Sequence, residues 1–82
     1  MANEARIMDA FNAAKARVEQ LKPGTYTLDD ILVGDGAWDS LPWNNKGAVG
    51  ERFRAAVIRG ELAGVKVGAE NPETGDREYI VG

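Results

Sequence analysis

The sequence predicts an α+β domain in which three helices are followed by a C-terminal β-hairpin. Three observations lead to it. An apolar stripe with helical spacing runs through the first twenty-one residues, and a second helical pattern carrying three arginines covers Asn45–Arg59. Near the end, two alternating segments flank a stretch dense in turn residues. A chain of 82 residues makes one domain, 1–82, with a small core. Twelve of its apolar residues are alanine, so that core rests on Phe11, Phe53, Trp38, Trp43, Tyr26 and Tyr79.

The first helix is expected over Asn3–Leu21. Ile7, Phe11, Ala14, Val18 and Leu21 recur at spacings of four and three, which gathers them on one face. Glu4 in the first turn and Lys22 at the end suit the helix dipole, and Lys22-Pro23-Gly24 stops the helix. A second helix opens at Thr27, where Thr27-Leu-Asp-Asp30 has the form of a capping box with Tyr26 as a staple before it. Leu28, Ile31 and Leu32 form its buried side, and Gly34-Asp35-Gly36 ends it. Trp38 to Leu41 adds one irregular turn before Pro42. Asn44 or Asn45 caps the third helix, whose core face holds Val49, Phe53, Ala56 and Val57, and Gly60 closes it. Val65 and Val67, then Tyr79 and Val81, alternate at period two about Asn71-Pro-Glu-Thr-Gly75-Asp76. Three helices and then a hairpin is the order of a winged helix-turn-helix.

Several of these residues carry a family likeness. Tyr26-Thr-Leu-x-Asp30-Ile-Leu, Gly36-x-Trp38-x-x-Leu41, Gly50-x-x-Phe53-x-x-x-Val57 and the late Tyr79 follow a pattern of F/Y-T-x-x-D-L, W-x-x-L and L-G-x-x-F. The chain in this respect resembles a family of short prokaryotic and phage-associated domains whose function is not established. The likeness covers roughly residues 20–81, and it implies a winged-helix-like shape with no catalytic residues to carry over. Val49 stands where the pattern has leucine, and Pro42-Trp43 is extra.

Charge is distributed unevenly. Residues 46–66 hold five cations against two anions, a balance of +3, within a chain whose net charge is −3. Aspartates 29, 30, 35 and 39 form one acidic stretch, and Glu70, Glu73, Asp76 and Glu78 form another beside Arg77. Arg52 and Arg59 are seven residues apart on one helix flank, with Ala48 and Ala55 small enough for close approach. That arrangement suits a helix entering a major groove, so the leading expectation is a small winged-helix DNA-binding protein, a prokaryotic or phage transcriptional regulator, with Asn45, Lys46, Arg52, Arg59 and Lys66 as the candidate nucleic-acid contacts. Against double-stranded DNA stand an acidic hairpin and a helix poor in base-reading side chains. The alternative is a protein-interaction module, with its acidic segments facing a basic partner or Trp43 anchoring an apolar one, and the resemblance implies that such a module would be a phage-encoded adaptor or inhibitor. A continuous positive face through Lys46, Arg52, Arg59 and Lys66 favours a duplex partner, and a broken one favours protein.

Other functions find little support. There is no cysteine and no histidine, which removes disulfides, thiolate metal sites and the usual general base. Ser40 is the lone serine, so a non-enzymatic protein without cofactor is expected. The aspartate spacing does not fit a calcium loop, and no metal is expected. No apolar run approaches a membrane span, and the first residues lack a secretory pattern, so a soluble cytoplasmic protein is expected, with no membrane partner.

Overall fold

The computed structural model describes residues 3–73 and 75–82. Thr74, which belongs to the turn expected between the two late strands, lies outside the described residues. Helix α1 spans Glu4–Val18, strand β1 Gly24–Thr27, α2 Leu28–Ile31 and α3 Gly36–Ser40. Helix α4 spans Trp43–Ile58, and strands β2 (Val65–Glu70) and β3 (Arg77–Val81) form the hairpin. The α+β class is as expected. The expected order of three helices and a hairpin is corrected to four helices among the described residues, with a strand between the first two.

Helix α1 buries Ile7, Phe11, Ala14 and Val18 as its stripe requires, but stops at Val18 rather than Leu21. Pro23 breaks the chain, and Thr25-Tyr26-Thr27 then extends as β1. It pairs antiparallel with β3, Tyr26 opposite Tyr79, while β2 pairs on the other edge with Val67 opposite Tyr79. The sheet order is therefore β1-β3-β2. Tyr26 is a strand residue whose hydroxyl donates to the Lys22 carbonyl at 2.7 Å, rather than a staple on the next helix.

The capping box at Thr27 forms as expected. The Asp30 amide donates to Thr27 Oγ1 at 3.3 Å, and the Thr27 amide donates to Asp30 Oδ2 at 3.0 Å. The irregular turn expected at Trp38–Leu41 is instead the short helix α3, capped by Asp35, whose Oδ2 accepts the Trp38 amide at 3.0 Å. Helix α4 starts earlier than expected, with Pro42 as its N-cap, so neither Asn44 nor Asn45 caps it. Proline presets the backbone there, and the helix begins with no side-chain cap bond. Gly60 ends the helical segment in the left-handed region, φ 78°.

Helix α4 lies across both α1 and the sheet. Val49, Phe53, Ala56 and Val57 are buried, and the Phe53 ring meets Tyr79 edge-on with centroids 4.8 Å apart. Trp38, Leu41 and Leu62 complete the core beside Ile31 and Leu32.

Candidate functional site between α4 and the hairpin

One turn of α4 advances 3.6 residues, so Trp43, Gly47, Gly50 and Arg54 share one line along the helix. Glu51 lies beside that line, eight residues after Trp43. Together with the hairpin wall at Glu70, Asp76 and Arg77, this line bounds a groove of about 850 Å³. Leu28, Trp38 and Tyr79 form its apolar floor. Gly47 adds no side chain, and nothing approaches within 4 Å of the place its Cβ would take.

Trp43 stands at this groove with 88% of its surface exposed. Trp38 is buried, and its indole Nε1 donates to Asp29 Oδ1 at 3.1 Å. Trp38 is in the core as expected, whereas Trp43, expected among the main core residues, is corrected to a solvent-exposed one. A large exposed indole in the first turn of a helix contributes nothing to this core.

The candidate nucleic-acid residues do not form one face. Arg52 and Arg59 do share a flank, but it stands about 160–180° round the helix from Trp43 and faces α1. There the Arg52 guanidinium donates to Glu4 Oε1 at 2.6 Å and reaches the Met8 sulfur. Arg59 donates to Glu61 Oε2 at 2.6 Å. Ala48 and Ala55, small enough to admit a neighbour, are half-buried beside this flank. Asn45 accepts a hydrogen bond from the Asn3 side chain at 3.1 Å. The Lys46 ammonium sits 5.1 Å from the Trp38 ring centroid. Lys66 is exposed on β2 opposite Ile80, on the sheet face turned away from α4. Exposed pairs such as Arg52–Glu4 contribute only ~0–1 kcal/mol, so pairing alone does not disqualify these cations. Their directions matter more: the positive face is broken.

Arg54 lines the groove and makes no hydrogen bond or ion pair among the described residues. Arg77 on the opposite wall donates to Glu70 Oε1 at 2.9 Å and to the Gly68 carbonyl at 3.2 Å. The Tyr79 hydroxyl beneath them has its pKa raised by burial, with Arg77 and Arg54 pulling it partly back. The helix expected from Asn45 already contains Gly47, Glu51 and Arg54, with Arg54 on a different side from Arg52 and Arg59, but it begins two residues after Trp43. That boundary left Trp43 outside the helical line it leads.

The aspartate stretch has local structural roles. Asp30 closes the capping box, Asp35 caps α3 and lies 3.8 Å from Arg17, and Asp29 holds the Trp38 indole. In comparisons with known proteins, no family model, curated protein or solved structure matches this chain. Of the residues that carry the likeness to short prokaryotic and phage-associated domains, the apolar Leu28, Ile31, Leu32, Trp38, Leu41, Phe53, Val57 and Tyr79 are buried, while Tyr26, Thr27 and Gly50 are half-buried and Asp30 and Gly36 exposed. The buried ones speak for packing.

Proposed function

We propose that this chain is a winged-helix-like, non-enzymatic protein-interaction module that receives its partner in the groove between α4 and the hairpin. The observation that carries this reading is Trp43, 88% exposed at the groove. Tryptophan is among the residues that dominate interface energetics, and leaving one in water has no folding benefit. Helix α4 with the β2–β3 hairpin beside it, and β1 paired on the far edge, supports the winged-helix assignment. Affinity capture from bacterial lysate with nuclease present tests the function. A stoichiometric protein is expected with the wild-type chain and is expected to be lost with Trp43→Ala. Capture of nothing, or of the same protein by both forms, would overturn it.

Double-stranded DNA is the second reading. It is favoured by the layout of a helix beside a hairpin and by Arg54, an exposed guanidinium on the groove side of α4. Glu51 and the acidic hairpin wall oppose it, because they bring carboxylates to the surface a phosphate backbone would meet.

A further inference from the structure

We propose that the groove takes a cationic partner, an extended protein segment bearing arginine, with one guanidinium stacked on Trp43 and a second bound by Glu51. This rests on the reading of the groove as a protein-docking site and adds the chemistry of the occupant.

The apolar surface of the groove is mostly spoken for. Leu28, Trp38 and Tyr79 are each under 10% exposed, so an aliphatic anchor would find little there to cover besides the Trp43 indole. The exposed side chains that line the groove with that indole include Asn44 and Arg54 as well as the carboxylates Asp29, Glu51, Glu70 and Asp76. Glu51 makes no hydrogen bond or ion pair among the described residues, and Glu70 and Asp76 stand on the facing wall. The open indole face offers one guanidinium ring stacking, and the Glu51 carboxylate, about 12 Å further along the helix, offers a second a bidentate charged contact.

The cations of the groove itself leave this position open. Lys46 folds back over Trp38 rather than Trp43, and Arg77 is bound to Glu70 and the Gly68 carbonyl. Arg54 lies eleven residues beyond Trp43, about 16 Å along the helix at 1.5 Å per residue. It marks the end of the groove that rejects positive charge, and so gives the segment a direction.

The spacing selects an extended form. Trp43 and Glu51 are separated by eight residues, about 12 Å of helix rise, with the bare Gly47 between them. In an extended chain at ~3.3 Å per residue that distance is covered by residues i and i+4, whose side chains leave the same face.

The test uses four short capped peptides with the full-length protein at low ionic strength. Each carries arginine, lysine, glutamate or leucine at its first and fifth positions, separated by Gly, Ala and Ser. Binding is followed by 15N NMR. The arginine peptide is expected to move the Trp43 indole, Gly47 and Glu51 signals, to bind several-fold more tightly than the lysine peptide, and to be unmatched by the glutamate and leucine peptides. Trp43→Ala and Glu51→Gln are each expected to weaken it at least fivefold, while Glu19→Gln, an exposed acid at the C-cap of α1, leaves it unchanged. Shifts scattered over every acidic surface and indifferent to Trp43 would overturn the proposal. Tighter binding of the leucine peptide would overturn it too, while sparing the groove as a docking site. If no peptide binds yet a lysate protein is still captured through Trp43, the cationic occupant is wrong and the interaction module stands. If both fail, both readings fall.

Discussion

Trp43 and Trp38 are five residues apart and have opposite energetic roles. Trp38 is 6% exposed, packed in the core and bonded to Asp29, whereas Trp43 is 88% exposed. Trp38→Ala should therefore cost about 3–5 kcal/mol, and Trp43→Ala should stay within about 0.5 kcal/mol, in denaturant titrations. Equal losses would mean that Trp43 is part of the core. Tyr79 gives a second test. Its folded pKa lies above the ordinary 10.0 because burial penalises the phenolate. The protonated side chain then contributes its stability in full below pH 10, and that contribution is lost as pH rises through the folded value. Tyr79→Phe should cost less than about 1 kcal/mol at neutral pH, since the hydroxyl reaches only the Gly50 carbonyl at 3.5 Å. It should also flatten the fall in thermal stability measured in buffers on either side of pH 10. An unchanged fall would assign the alkaline loss to other groups.

Elements with a chemical start signal were legible in the sequence, and those defined by distant pairing were not. The capping box at Thr27 is a local event, so four letters revealed it. Thr27→Ala should remove about 1 kcal/mol in urea unfolding, with Thr27→Ser recovering most of it. No recovery would argue that the methyl group, rather than the capping oxygen, matters at this position. Strand β1 was missed for the converse reason. Four residues are too few to show alternation, and their partner in β3 lies more than fifty positions away. Helix α3 is only five residues long and ends just before Pro42, and the preference of asparagine for the cap position points to a start for α4 two residues later than the true one. Those two residues matter most for the site, because they place Trp43 at the head of the line of Gly47 and Arg54.

At the scale of the molecule, the segment with the +3 balance does not become a +3 surface. Arg52 and Arg59 face α1 and the end of α4, Lys46 covers Trp38, and Lys66 lies on the far face of the sheet. Sequence position located the charge, but the 100° step of the helix and the pleat of the sheet dispersed it. A duplex held by Arg52 and Arg59 would lose about 0.9 from its log–log salt slope for each phosphate contact removed. The Arg52→Ala/Arg59→Ala double variant therefore separates the readings when titrated with labelled random-sequence duplex across a range of low salt concentrations. The expected result is the same weak isotherm and the same slope as wild type, together with undiminished Trp43-dependent protein capture. A slope shallower by about two would return those arginines to a nucleic-acid interface. It would also mean that α1 swings off the flank of α4 to let the duplex in, because Glu4 and Met8 occupy that approach in the folded chain.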